Sequence, residues 1–501
     1  MKKIIVLIIC GVILSIYSCD DILDVEPVSS LVYGSFWRDA ESAKVGMVGL
    51  HADMRSTHEA LVLMGEVRSD LYGGVGFESP SSTNLIYQDI RVDNAPFGGW
   101  AGFYTKLQRI NDAIKHIPGI DFTSSNDKDY LLGQVYGMRA FYYYTMLKTW
   151  GGVPLVTEPT ESIDYNTLEK PRASEQEIMN QIKLDIEASL KAFGSQANFY
   201  NNKRTYWSKA ASLILKGDVY IWSGVHLGGG VSDFQTAKSA LEEVGTISGV
   251  NLLSKYADVF KYSNKNNNEV IFAFNYAVDD GATSPYFLWT ARQVEISALY
   301  NSEGTAIGTS FQFSSTATNR YHPSSEALNT LFEDPLDERG NATWIRLFRN
   351  PDATQYAGAV TNKFLGTVIS GIRQIIDDAP LYRYSDAILL LAETKNLLAQ
   401  DPSPEINDIR ERAYGTNYDA SIHGYINQTK SLNTEAILKE RFKEFQQEGK
   451  RWWDLRRAGD EYAIKQNNYL LPGDEYKLVL PITRDMIGRN PALIQTPGYG
   501  N

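Results

Sequence analysis

Cysteine is almost absent from this chain. Its 501 residues contain two cysteines, Cys10 and Cys19, and both lie close to the N-terminus. The rest of the chain therefore cannot form a disulfide bond or a cysteine-ligated metal site. The six histidines form no HExxH motif, Gly-x-Ser-x-Gly does not occur, and the glycines at 228–230 lack the Lys-Ser/Thr of a phosphate-binding loop. The usual signatures of zinc hydrolases, serine hydrolases and nucleotide-binding proteins are thus missing.

Basic side chains and long apolar runs are also scarce. Lysine and arginine number 48 against 60 aspartates and glutamates. An acidic chain is a poor nucleic-acid binder, because most of that affinity comes from neutralising phosphates, and anionic lipid surfaces repel it. After Cys19 no apolar run approaches the roughly 20 residues that cross a bilayer as a helix. Neither nucleic-acid binding nor a membrane-spanning helix is therefore predicted.

The N-terminus has the features of a lipoprotein signal. Two lysines precede an apolar run over residues 4–16, and a serine stands directly before Cys19. This pattern predicts cleavage before Cys19 and acylation of its thiol, with residues 1–18 as the signal peptide and 19–29 as a tether. The alternative is an ordinary secretory signal cut near Ser18, which would leave Cys19 as a free thiol.

Helical periodicity dominates the first half of the chain. Ser174 and Glu177 form a capping box ahead of isoleucines spaced four apart, and Ser208 is placed to cap the next helix. The glycines at 228–230 predict an open loop beyond that helix. Further helices are predicted over 100–116, 130–150, 384–398 and 434–447. Amphipathic helices in succession predict a mostly α fold with a tetratricopeptide-like helical repeat scaffold, although no clean repeat period is present.

The second half has a different pattern. Residues 270–274 are strand-like, whereas 279–325 are rich in glycine, serine and threonine with scattered aromatic residues. Long loops of this kind often carry function. We therefore predict an N-terminal helical region over 30–262 and an irregular, loop-rich C-terminal region with few short strands over 263–501, packed on the first.

Several motifs along the chain resemble those of one protein family. They are Arg139-Ala140-Phe141-Tyr142-Tyr143 with Trp150-Gly151-Gly152-Val153-Pro154-Leu155; Tyr382-Arg383-Tyr384-Ser385-Asp386 with Ala392-Glu393; Glu440-Arg441, Glu444-Phe445 and Arg451-Trp452-Trp453-Asp454-Leu455-Arg456-Arg457; and a closing Pro497-Gly498-Tyr499. In content and order they are similar to the SusD/RagB family of outer-membrane lipoproteins. The resemblance extends from Cys19 to the C-terminus, and the acidic pair after Cys19 resembles the export tag of such lipoproteins.

The resemblance implies a function without catalysis. Members of this family capture an oligosaccharide, or sometimes a peptide, at the cell surface and pass it to a SusC-like TonB-dependent transporter. It implies an outer-membrane location through the lipid on the N-terminal cysteine. No cofactor and no metal ligand are predicted from the sequence, which leaves open whether an ion is bound. The family's binding loops have no motif that this sequence matches, so no ligand residue can be carried over from it.

The motif at 451–457 has a structural interpretation. Arg451 with Asp454, or Asp454 with Arg457, can pair three residues apart on one helix face while the tryptophans pack inward. We therefore predict that Trp453 belongs to the core. The cluster at 141–144 receives the same interpretation.

Aromatic residues in two loop-rich segments, 70–99 and 279–325, are the predicted ligand contacts, together with Trp344 beyond the second segment. Aromatic faces stack on sugar rings, while amides, carboxylates and arginine bind hydroxyl groups. The predicted set is Tyr72, Phe77, Tyr286, Trp289, Arg292, Tyr300 and Trp344, with Tyr87, Asn84, Asn94 and Gln293 as further candidates. The alternative for each aromatic residue is packing beneath its own loop.

Two other functions remain open at this point. A surface glycoside hydrolase would need two carboxylates flanking the scissile bond, and pairs such as Asp279-Asp280 or Glu333-Asp334 exist. With 60 acidic residues, such pairs are expected by chance. A helical-repeat scaffold that binds only proteins is the other possibility.

Overall fold

The structure is a computed structural model that describes residues 36–73, 83–161, 169–278, 280–315, 317 and 319–500. The predicted signal peptide, Cys19 and the tether lie outside these residues, as does Phe77. Within the described part, no helix combines the length and apolarity that a membrane crossing needs.

Long helices dominate the described residues. Those of eight or more residues are α1 (Ala40–Ser56), α2 (Ala101–His116), α3 (Ser125–Trp150), α4 (Glu175–Phe193), α5 (Lys209–His226), α6 (Gly230–Val244), α7 (Tyr384–Leu397), α8 (Ser403–Tyr414), α9 (Lys430–Glu444) and α10 (Arg451–Ala458). From α1 to α7 each helix packs against the next, and α7 continues onto α8 and α9. This serial packing confirms the mostly α fold with tetratricopeptide-like architecture.

Local signals set most helix ends. The Ser174–Glu177 capping box is present, α4 ends at Gly194 with a φ of 54°, and Ser208 caps α5 through the Ala211 N–H. Three predictions were inaccurate. Helix α3 begins at Ser125 instead of 130, α9 spans Lys430–Glu444 because Thr429 supplies its cap, and α6 begins at Gly230, where an open loop was predicted.

Strands are few and short. Within the described residues, six strands form three two-stranded antiparallel sheets: β1 (Val270–Phe274) with β6 (Ala379–Arg383), β2 (Trp344–Phe348) with β3 (Tyr356–Thr361), and β4 (Thr367–Ile369) with β5 (Ile372–Gln374). Short α-helices cover His58–Val62, Thr83–Ile86, Gln293–Ile296, Ser325–Leu331, Arg339–Thr343, Ala420–His423, Asp460–Gln466 and Arg484–Arg489, and Leu63–Val67 is a π-helical turn. The prediction of a loop-rich C-terminal part with few strands is confirmed.

The main hydrophobic core draws on both halves of the chain. It includes residues 141–144 of α3, all buried, together with Phe272 of β1 and Tyr382 of β6. Tyr143 donates a hydrogen bond to Val156 O at 2.7 Å, and Tyr144 donates to Asp218 at 3.0 Å. The tyrosine cluster is therefore core, as predicted, and these hydroxyl groups are satisfied.

A network of buried charges joins β6, α8 and α9 to Glu269, the residue before β1. Arg383 contacts Glu269, Glu444 and Glu448 at 2.7 to 2.9 Å, and Arg412 pairs with Glu269 and Glu444. All five side chains are at most 3% exposed. Buried charges are tolerated only when paired and hydrogen-bonded, so this network ties the last third of the chain into one arrangement.

The motif at 451–457 forms α10 and is buried throughout. Asp454 pairs with Arg457 at 2.9 Å, as one of the two predicted pairings required, and Trp453 is 9% exposed. The other pairing is wrong, because Arg451 instead contacts Asp70 at 2.6 Å. The motif thus connects α10 to the N-terminal region.

Candidate functional site

Four of the predicted ligand contacts lie inside the protein. Tyr72, Tyr286, Trp289 and Trp344 are between 0% and 3% exposed. A ligand cannot stack on a ring that is covered on both faces, so the expectation that these rings are displayed at the surface is wrong. Burial of large aromatic rings is strongly favourable, and their loops fold back over them.

The buried rings nevertheless bring the two predicted loop segments together. Trp289 donates its Nε1–H to the Tyr72 hydroxyl at 3.1 Å, and Tyr286 stacks on Phe364 with ring centroids 3.6 Å apart. The backbone of Tyr72 also forms a β-bridge with Pro323. Loop 70–73 and loop 285–323 therefore share one wall of the molecule, with their aromatic rings directed inward.

A buried carboxyl group lies under this wall. Glu66 accepts hydrogen bonds from the Tyr72 hydroxyl at 3.2 Å and from the Gln447 N–H at 2.8 Å. Burial raises the pKa of Glu66 to about 7, although these hydrogen bonds and Lys363 act in the opposite direction. Glu66 therefore titrates near neutral pH and links the loops to the segment after α9.

The other predicted contacts are dispersed. Arg292 is exposed and pairs with Glu295 three residues along. Tyr300 is half-buried, and its backbone exchanges hydrogen bonds with Phe348. Both stay predictions as ligand contacts.

The further polar candidates make bonds within their own loops. The Gln293 amide donates to Gly308 O and accepts from the Phe313 N–H. Asn94 donates to Asp89, and the Asn84 oxygen accepts from the Leu85 N–H. These contacts hold the loops in place.

Two tyrosines are displayed at the surface near this wall. Tyr87 is 37% exposed and Tyr469 is 38% exposed, and their rings meet edge to face with centroids 4.8 Å apart. An added Cβ on Gly73 would come within 2.8 Å of the Tyr469 hydroxyl, so that loop passes directly beside the pair. Tyr87 was among the sequence candidates, whereas Tyr469 was missed.

A cleft adjoins the tyrosine pair, and we call it the Asp70 cleft. It has a volume of about 520 Å³ and a mostly polar lining over an apolar floor of Leu331, Leu438 and Phe442. The polar lining consists of Asp70, Ser324, Glu326, Thr330, Glu435, Lys439, Arg451, Lys465, Gln466 and Asn468. Asn468 lines the cleft and directly precedes Tyr469 in the chain, so the backbone at the tyrosine pair runs along the edge of the cleft.

Charges in the Asp70 cleft are balanced and mostly paired. Asp70 receives two hydrogen bonds from Arg451 at 2.6 and 2.8 Å, and the Arg451 guanidinium lies 3.9 Å from the centre of the Phe442 ring. Lys465 contacts Glu435 at 3.2 Å at the rim. Such a lining suits a neutral ligand with many hydroxyl groups, because paired carboxylates and amides still have open positions for hydrogen bonds.

Among the described residues, no group of three or more histidine, cysteine, aspartate or glutamate side chains is placed to hold a metal ion.

Comparisons with known proteins identify the family. The model described as "SusD family" matches residues 346–499, and the model described as "Starch-binding associating with outer membrane" matches residues 23–215. NanU of Bacteroides fragilis is 34% identical, with a TM-score of 0.87, over 95% of this chain and 100% of that one. The chain belongs to the SusD family. The resemblance inferred from the sequence motifs is thereby confirmed.

Two further SusD-like relatives cover nearly the whole chain. SusD-like protein P38 of Formosa agariphila is 26% identical over 96% of each chain. A laminarin-binding SusD-like protein shares the fold at 19% identity, with a TM-score of 0.72, over 92% of this chain and 100% of that one. The similarity to the latter concerns the fold alone.

Proposed function

We propose that this protein is a non-catalytic receptor that binds a nutrient glycan at the cell surface and delivers it to a SusC-like TonB-dependent transporter. Membership of the SusD family supports the proposal, as does the laminarin-binding relative with the same fold. The observation that carries it is the exposed Tyr87–Tyr469 pair beside the Asp70 cleft.

The geometry of this surface matches what glycan capture requires. Exposed aromatic rings can stack on the apolar face of a sugar ring, and nearby carboxylates, amides and hydroxyl groups bind its hydroxyl groups. The cleft is open to solvent, so a sugar can reach its lining residues from outside. Capture needs no bond to be broken.

Calorimetry against a panel of soluble glycans and peptides tests the binding step. We expect at least one glycan to bind with micromolar to millimolar affinity and to be recovered uncut. The double variant Tyr87→Ala/Tyr469→Ala should bind it at least about tenfold more weakly, because two stacking rings are lost. Leu471→Ala, a control at a 64% exposed residue near Tyr469, should leave binding unchanged.

Other outcomes of the same experiment separate the alternatives. Affinity for peptides alone would make the protein a peptide-binding member of the family, and shortened glycan products would make it a hydrolase. Absence of any ligand across the panel would favour a protein-binding scaffold.

The anchor is tested separately. A lipid on Cys19 accounts for the outer-membrane association that the family description gives. Cys19→Ser should move the mature protein from the membrane fraction to the soluble fraction without lowering its melting temperature. Incorporation of labelled palmitate into that variant would contradict the anchor.

The transporter partner can be sought by co-purification. Solubilised membranes carrying the tagged protein should yield a TonB-dependent barrel, and its gene is expected beside the gene of this chain. Recovery of the protein alone under conditions that keep other membrane complexes intact would count against delivery to a transporter.

A further inference from the structure

A second cleft lies away from the Asp70 cleft, between the turn at Tyr262–Asn264 and the start of β4. It has a volume of about 410 Å³, within the range of small-ligand pockets. We call it the Tyr262 cleft. Its lining includes Tyr262, Ser263, Asn362, Thr367 and Asp377, with Phe260 and Leu365 as apolar surfaces.

Tyr262 is displayed where a ligand could stack on it. The residue is 39% exposed, and the Lys265 ammonium lies 5.3 Å from the centre of its ring. Lys265 is itself fixed by Asp378 at 3.1 Å and by Tyr276 O at 2.7 Å. The cation therefore restrains the ring from one side.

The fold does not explain why Asp377 is buried without a cationic partner. It is 1% exposed and lines the cleft, yet no described lysine, arginine or histidine lies within ion-pair distance of it. One of its oxygens accepts a hydrogen bond from the Gly366 N–H at 2.7 Å. Burial raises the pKa of Asp377 to about 7, which shows that the surroundings stabilise its charge poorly.

The remaining polar groups point to hydroxyl recognition. Asn362 donates its amide to Asn341 O at 2.8 Å, so the amide is held in one orientation, and no described residue donates to its oxygen. Ser263 and Thr367 contribute hydroxyl groups to the same lining. Two acceptors, two hydroxyl groups and an aromatic face form the chemical set that binds a sugar ring.

The charges of the Tyr262 cleft argue against a charged ligand. An anion would meet the Asp377 carboxyl, and a cation would meet Lys261, whose side chain is 58% exposed. Lys363 also lines the cleft, but its ammonium group is buried against Glu448 at 2.5 Å. A neutral ligand avoids both repulsions.

From this geometry we propose that the Tyr262 cleft is a second binding site, which takes one neutral sugar ring stacked on Tyr262 and hydrogen-bonded to Asp377 and Asn362. The site requires nothing from the Asp70 cleft, so it stands or fails independently of the function proposed above.

The test uses neutral mono- and disaccharides of gluco, galacto and manno configuration. Saturation-transfer NMR and calorimetry are carried out on the full chain, with sugar concentrations up to tens of millimolar. We expect at least one of these sugars to bind, and Tyr262→Ala to weaken that binding by about three- to tenfold. Leu184→Ala removes a 64% exposed side chain that lines neither cleft, and it should leave this binding unchanged.

A second variant protects the test against misfolding. Asp377→Asn keeps the shape of the side chain and an oxygen for the Gly366 N–H, and it should weaken the same sugar without lowering the melting temperature. The proposal is overturned if none of the sugars binds, if Tyr262→Ala leaves the binding unchanged, or if Ca²⁺ and not a sugar binds at Asp377.

Discussion

Replacing Arg383 with glutamine is expected to destabilise the protein strongly. The guanidinium is fully buried, and its five N–H groups make six donor contacts of 2.6 to 3.1 Å, so one N–H is shared between two acceptors; the acceptors belong to Glu269, Glu444, Glu448 and Ser385. The residue ends β6, and the next N–H, that of Tyr384, bonds Glu269 O at 2.8 Å. The side chain therefore fixes the junction between the sheet and α7.

The magnitude follows from the charges left behind. Without Arg383, the three carboxylates keep Arg412, on Glu269 and Glu444, and Lys363, on Glu448, as close cations. Arg339 is 3.6 Å from Glu444 but is also engaged elsewhere. One buried negative charge is then uncompensated, and breaking such a pair costs about 3–5 kcal/mol of unfolding free energy.

The loss of unfolding free energy in Arg383→Gln should depend on pH. Burial would raise the pKa of Glu444, but Arg412, Arg383 and Arg339 outweigh burial and lower the pKa to about 2. In the native protein this group stabilises the fold above its ordinary pKa of 4.5, and that contribution is lost as the pH falls toward 2. In Arg383→Gln a carboxylate can take up a proton at mildly acidic pH, so the deficit should be smaller at pH 5 than at pH 8.

Urea unfolding followed by circular dichroism at these two pH values measures the effect. Arg489→Gln is the control, because Arg489 is 79% exposed and pairs with Asp485 at the surface, so a change below about 0.5 kcal/mol is expected. If Arg383→Gln lowers the unfolding free energy by less than about 1 kcal/mol at pH 8, or by the same amount at both pH values, Arg383 does not neutralise a buried carboxylate in the way described.

Three further stability predictions follow from burial and close contacts. Trp289→Ala should lower the unfolding free energy by about 3–5 kcal/mol in urea titrations, and a variant as stable as the native protein would show that the ring is not core. Glu66→Gln should raise the unfolding free energy by about 1–3 kcal/mol at pH 8 but not at pH 4. The folded-state pKa of about 7 exceeds the ordinary 4.5, so the native protein loses stability as the pH rises from 4.5 to 7. Equal effects at both pH values would contradict this expectation. Gly65→Ala should cost about 3 kcal/mol or more in calorimetric melting, since the new Cβ would lie 1.8 Å from Gly449 O, whereas Gly49→Ala, with nothing within 4 Å, should be neutral or stabilising.

Local sequence signals were sufficient for the helical part of the fold. The Ser174 capping box and the glycine at 194 define α4 within a few residues of the chain, so no distant contact is needed to place its ends. The Ser208 cap does the same for α5. Helix α6 was missed because glycines that usually indicate an open loop here end at the first helical residue, Gly230.

The candidate site depended on contacts that no local pattern contains. Trp289 bonds Tyr72 across 217 residues of sequence, and this partner decides that both rings are buried. The loops around Trp289 and Tyr72 have the same composition as loops whose aromatic residues are exposed, so composition alone does not predict that these two rings are buried. Tyr469 could have been found, because Asn467-Asn468-Tyr469 precedes Pro472-Gly473 in a segment typical of a loop. The contact between Tyr469 and Tyr87 could not have been predicted from the local sequence.

Measuring the affinity for a glycan together with the fate of that glycan tests most directly whether the protein is a non-catalytic receptor. Native protein and the Tyr87→Ala/Tyr469→Ala variant are each incubated with the glycan that the panel identifies, and the glycan's mass is measured after its affinity. The receptor account predicts a glycan of unchanged mass in both samples, an affinity at least about tenfold lower for the variant, and equal melting temperatures. A shortened glycan, or a variant that binds as tightly as the native protein, would contradict it.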